Sequence, residues 1–147
     1  MLVEKRQKTE GQKMEALRTT FNNQTLLIRR GQATAILYFI VTSILGFLLL
    51  GTKQELIIWL CATFFYISGG LTVTFTNARW GFGFLIVTFL LIEGLFYFYP
   101  FQNFWFWSLP AKALYIYFIF AAYQAAARRE VIEEIMVENG WQSLQSQ

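Results

Sequence analysis

The chain contains no histidine and no aspartate, one cysteine and two prolines, and only 14% of its residues are charged. These shortages exclude whole classes of chemistry. Histidine-ligated zinc, haem held by histidine and a Ser-His-Asp triad each require a residue type that is missing, and a lone cysteine closes no internal disulfide. Soluble domains carry about 25% charged and about 45–50% apolar residues. Here 56% of the residues are hydrophobic and 19% aromatic. The few charges are crowded into the first 32 and last 20 positions, so the middle of the chain is built for lipid.

A helix needs about 20 mostly apolar residues to cross about 30 Å of hydrocarbon. Four segments meet that requirement: 33–50, 56–75, 80–99 and 109–127. The first two carry no charge on any face, unlike helices of a soluble bundle, which keep a polar face at the 3.6-residue period. The third contains Glu93 and stops at Pro100; the fourth opens at Ser108 and Pro110 and carries Lys112. The expected fold is therefore an all-α integral membrane protein whose four transmembrane helices form two hairpins.

Basic residues set the orientation. Lys5, Arg6, Lys8, Lys13, Arg18, Arg29, Arg30, Arg79, Arg128 and Arg129 fall on one side, and only Lys53 and Lys112 on the other. The positive-inside rule then puts both termini in the cytoplasm of a bacterial inner membrane or the equivalent face of an organellar one. The first apolar run begins too late for a signal peptide. Residues 1–32, net +4, read as a cytoplasmic arm, partly amphipathic through Met14, Leu17 and Phe21, that is held to anionic headgroups or docks a partner. Residues 128–147, net −2, read as a helical extension of the last span, and the opposite signs allow the two tails to attract. In the extension Val131, Ile132, Ile135 and Met136 make an apolar stripe, a stop is expected at Asn139-Gly140, and Trp141 follows it. That stripe must cover the second loop, the headgroups or another subunit.

Glu93 is the leading functional candidate by type, because an acidic group near a membrane helix centre costs about 2.5–3.5 kcal/mol and usually marks a site. Lys112, near the start of the antiparallel neighbour, and Tyr97, four residues on, are its candidate partners. Small residues supply candidate packing faces, among them Gly46, Gly69, Gly70 and Gly94, since close backbone approach drives helix association in lipid. The outer loop from Tyr97 to Pro110 has no charge; its Trp105 and Trp107 suit an interfacial belt or a docking surface for a lipid, pigment, quinone or protein. Cys61, apolar on both sides, reads as a small buried hydrophobe.

The run Ile67-Ser68-Gly69-Gly70, Arg79-Trp80-Gly81 and Ile92-Glu93-Gly94-Leu95-Phe96-Tyr97-Phe98-Tyr99-Pro100 resembles the cadence of the HdeD-like acid-resistance membrane proteins. That resemblance implies a compact non-enzymatic membrane protein tied to acid stress. With no nucleophile-base pair or metal cluster in the spans, neither enzymatic activity nor a cofactor is expected. Nor is nucleic acid expected as a partner. The expected role is an accessory or scaffolding subunit packed against other integral membrane subunits or copies of itself. The alternative is a small oligomeric proton- or cation-coupled transporter using Glu93.

Overall fold

The computed structural model describes residues 2–49, 53–97 and 102–138 as backbone, with side chains for residues 11–48, 57–94 and 108–138. These segments form four helices: α1 Leu2–Leu49, α2 Lys53–Thr76, α3 Ala78–Tyr97 and α4 Gln102–Glu138. Each helix packs on its two chain-order neighbours, with α4 returning to α1, so the bundle is a closed ring. Two helical segments, Gly11–Leu48 and Ile57–Thr76, are long and apolar enough to cross a membrane.

The arm is not a separate segment. It continues without a break into the first apolar stretch, giving a helix of 48 residues, about 72 Å at 1.5 Å per residue. The last helix also begins earlier than expected, at Gln102 in place of Leu109, so much of the expected outer loop is helical and Pro110 lies inside α4. Proline removes one backbone donor and crowds the carbonyl four residues back, a defect membrane helices tolerate. Between α2 and α3 only Asn77 is non-helical; its Oδ1 accepts from the backbone N–H of Trp80 at 3.2 Å and caps α3.

The longest packing seam joins α1 to α4. Its residues on α1 are Leu17, Phe21, Gln24, Ile28, Gly31, Ala35, Tyr38 and Thr42, alternately four and three apart and all buried except half-buried Leu17. This is the seven-residue repeat of a coiled coil. The partners run antiparallel: Tyr38 stacks on Tyr115, Gly31 backs onto Ala122, and Phe21 and Leu17 pack with Ile132 and Met136. Seam chemistry changes along the way. Above Ile28 it is made of small and polar residues, with Gly31 so close to Ala122 and the Phe82 ring that a Cβ would collide with both. Below Ile28 it is made of the bulky apolar Phe21, Leu17, Ile132 and Met136, with the buried polar Gln24 among them. Close approach through small residues drives association in lipid, whereas bulky apolar knobs do so in water.

The α2–α3 hairpin is equally tight. A Cβ on Gly70 would strike Leu85, and one on Gly81 would meet the Thr74 backbone. Between the two hairpins the core is Phe82, Leu85, Phe89, Tyr115, Ile119 and Ala122.

Candidate functional site

The acidic residue of α3 and the basic residue near the start of α4 meet inside the bundle. Lys112 Nζ lies 2.5 Å from Glu93 Oε2, and the two side chains are only 9% and 17% exposed. The antiparallel course of α3 and α4 puts these residues at similar depths, so the spacing of the sequence dictates the encounter. The second carboxylate oxygen, Oε1, accepts a hydrogen bond from the Tyr38 hydroxyl at 3.3 Å. Tyr38 is held in place by its ring: it stacks against Tyr115 with centroids 4.3 Å apart and meets Phe89 edge-on at 5.9 Å. On α2 the buried Tyr66 lies beside both Tyr38 and Tyr115. Every helix therefore contributes to one polar cluster: Tyr38, Tyr66, Glu93, and Lys112 with Tyr115.

The ammonium neutralises the carboxylate, and a hydrogen-bond donor occupies the other oxygen. A buried pair is weak evidence for stability, yet removing one partner leaves a buried unpaired charge, which is strongly destabilising. The arrangement thus penalises any packing of the four helices that separates Glu93 from Lys112.

A second set of charges sits at the opposite end of α3. Arg79 Nη1 donates to Glu130 Oε2 at 3.2 Å, tying the α2–α3 turn to α4. The Tyr123 side chain and then the Glu130 carboxylate raise the Arg79 pKa above its ordinary value. Arg129 bonds Glu133 at 3.1 Å and places its guanidinium 4.6 Å over the Phe21 ring. Gln32 donates to the Thr74 hydroxyl at 3.1 Å. A polar cleft at this level is bordered by Ile28, Asn77, Arg129, Glu130 and Glu133.

Of the residues singled out from the sequence, Glu93 and Lys112 are brought together. The Tyr97 side chain lies outside the described residues, as do those of Trp105, Trp107 and Trp141; the hydroxyl on Glu93 comes from Tyr38 instead. Gly46 and Gly70 are buried and Gly69 is half-buried, while Gly94 faces outward with nothing within 4 Å of a Cβ placed on it. Ile132 and Met136 are covered by the chain's own arm, and Ile135 beside them is exposed. Cys61 is exposed, which corrects its reading as a buried residue: it falls on the outer face of α2, and apolar chain neighbours do not by themselves place a residue in the core. Tyr38, Tyr66 and Tyr115 were missed because a tyrosine among apolar residues reads first as a belt residue. Their common signal is a mid-segment position on three different helices. Gly31 was missed because it precedes the uncharged run, although Gly31 and Ala35 stand in small-xxx-small spacing.

No protein-family model, curated protein or solved structure matches this chain.

Proposed function

We propose that the chain is a non-enzymatic integral membrane accessory or scaffolding subunit, with four spans and both termini on the cytoplasmic side. One observation carries this reading: the carboxylate and ammonium of the membrane segment are used on each other inside the bundle, while the outward surface is a girdle of apolar side chains. That girdle includes Leu37, Phe47, Ile58, Phe65, Phe75, Val87, Leu91 and Leu114, drawn from all four helices. Its extent far exceeds the few hundred Å² of contiguous apolar surface that monomeric soluble proteins expose. The change from small to bulky seam residues near Ile28 fits a water-lipid boundary at Arg29-Arg30, where exposed arginines suit anionic headgroups. Ten basic residues then lie on the inner side, and the resemblance to HdeD-like proteins points to the same class of small, non-enzymatic membrane protein.

The rival is a transporter that works through Glu93. Mild detergent extraction tests the scaffold reading by whether larger membrane subunits co-purify stoichiometrically. Proton or cation flux in liposomes that is present with the wild-type chain and lost with Glu93→Gln would replace it with the transporter.

A further inference from the structure

The α1–α4 seam is closed along its centre, yet between Thr34 and Leu45 it opens on the outward side. A groove of about 340 Å³ there is walled by Leu37, Val41 and Leu45 of α1 and by Pro110, Ala111 and Leu114 of α4. Its floor is the stacked pair Tyr38 and Tyr115. The Thr34 hydroxyl is taken by the Arg30 carbonyl at 2.8 Å, and the Tyr38 hydroxyl by Glu93. What the walls offer is methyl and methylene surface, which selects hydrocarbon. Thr34 and Leu45 are 11 residues apart, about 16 Å of helix, the depth of one leaflet in a hydrocarbon layer about 30 Å thick. A helix about 10 Å across would need roughly 1,000 Å³ over that length. The groove therefore has the gauge of a single chain.

The same side of the seam carries charge at its cytoplasmic end. Arg30 lies one turn before Thr34, and Arg128 lies about five turns after Pro110, on the face that runs through Leu114, Ala121 and Ala125. The antiparallel register set by Tyr38 on Tyr115, Gly31 beside Ala122 and Phe21 with Ile132 puts the two arginines on one side of the seam, about 7–8 Å apart along it. Both are exposed, and among the described residues neither side chain has an ion-pair partner. The glutamates that follow in α4, Glu130 and Glu133, are held by Arg79 and Arg129. Beyond the arginines α1 and α4 run on as a stalk, closed by Phe21, Ile132 and Met136.

We propose that the α1–α4 groove binds one anionic phospholipid of the cytoplasmic leaflet, with an acyl chain lying against Tyr38 and Tyr115 and the phosphate between Arg30 and Arg128. The inference rests on the membrane reading and orientation proposed above and adds a ligand to it. Basic residues at the cytoplasmic mouth of an interhelical cleft suit anionic head groups. A zwitterionic head group brings its own cation to the arginines and binds less well. The chain thus sets depth, and the arginines set the choice of head group.

The test is native mass spectrometry of the full-length chain extracted from vesicles of equimolar phosphatidylglycerol and phosphatidylcholine. The wild type should retain one phosphatidylglycerol, at least about fivefold over phosphatidylcholine. Arg30→Gln with Arg128→Gln should abolish that preference. Arg18→Gln with Arg29→Gln, which removes equal charge from other faces of α1, should keep it. Ala111→Phe and, from the opposite wall, Leu37→Trp should each fill the groove and release the lipid, with helicity by circular dichroism unchanged. The proposal is overturned if the wild type retains both lipids equally, or if the preference survives loss of Arg30 and Arg128. It is also overturned if loss of Arg18 and Arg29 abolishes the preference as well, which makes it a general basic field, or if both groove-filling variants keep the lipid. The same holds if light scattering shows a dimer that those variants dissolve, which makes the occupant a second copy. A chain that stays in solution without detergent fails the membrane reading instead, a separate result.

Discussion

Lys112 holds the Glu93 carboxylate at 2.5 Å from the neighbouring antiparallel helix, and each is the residue that makes the other tolerable in an apolar interior. Lys112→Met therefore strands a buried carboxylate and should destabilise the bundle by about 3 kcal/mol, as should Glu93→Leu for the ammonium. The double variant removes both charges and should recover most of the loss, giving a large positive coupling in a double-mutant cycle. Reversible unfolding in mixed micelles followed by circular dichroism measures it. Additive losses would mean that the pair is not a coupled unit.

Glycines sort by what surrounds them. Gly31→Ala puts a methyl group into Ala122 and the Phe82 ring and should cost about 1–3 kcal/mol by overpacking. Gly11→Ala meets nothing among the described residues and should instead stabilise the N-terminal part of α1 by up to about 1 kcal/mol, the difference in helix propensity. Opposite signs from the same substitution in one helix, read by thermal unfolding, would support the α1–α4 packing described here. Equal signs would argue against it.

Gln24 occupies a core position between Phe21 and Ile28, and its Oε1 is buried without a hydrogen-bond partner among the described residues. Replacing it with leucine removes an unsatisfied acceptor and adds an apolar knob, so Gln24→Leu should stabilise the stalk by about 1–2 kcal/mol. Its slower amide exchange over residues 17–28 is the expected readout.

Phe21 contributes to packing in the Leu17–Ile28 part of the seam through Ile132, Met136 and the Arg129 guanidinium. Phe21→Ala should open this pair and speed amide exchange in residues 17–28 and 128–138. Exchange around Tyr38, Ala122 and Leu85 should not change, because those contacts lie in a different part of the core. Faster exchange throughout would mean that stalk and bundle unfold as one unit.

Much of the helix order was legible because charge-free runs and their punctuation are local signals, as at Thr76-Asn77-Ala78. The encounter of Glu93 with Lys112 was also legible, since an antiparallel hairpin turns sequence distance from the loop into depth. What escaped detection required knowing which helices pair over long separations. The heptad through Phe21, Ile28 and Ala35 crosses the boundary between the charged and apolar segments, so dividing the chain at residue 32 concealed it. Tyr38 became a partner of Glu93 only once α1 stood beside α3, and Cys61 became exposed only once α2 had chosen its inner face.

The central claim is that the outward apolar girdle is solvated by acyl chains, and the native cysteine tests it without any substitution. Cys61 lies on that surface. A nitroxide attached to it, after reconstitution in liposomes, should show high collision rates with oxygen and low rates with a water-soluble nickel chelate, the signature of the hydrocarbon interior. Accessibility to the nickel chelate equal to that of an exposed cysteine in water would contradict the account.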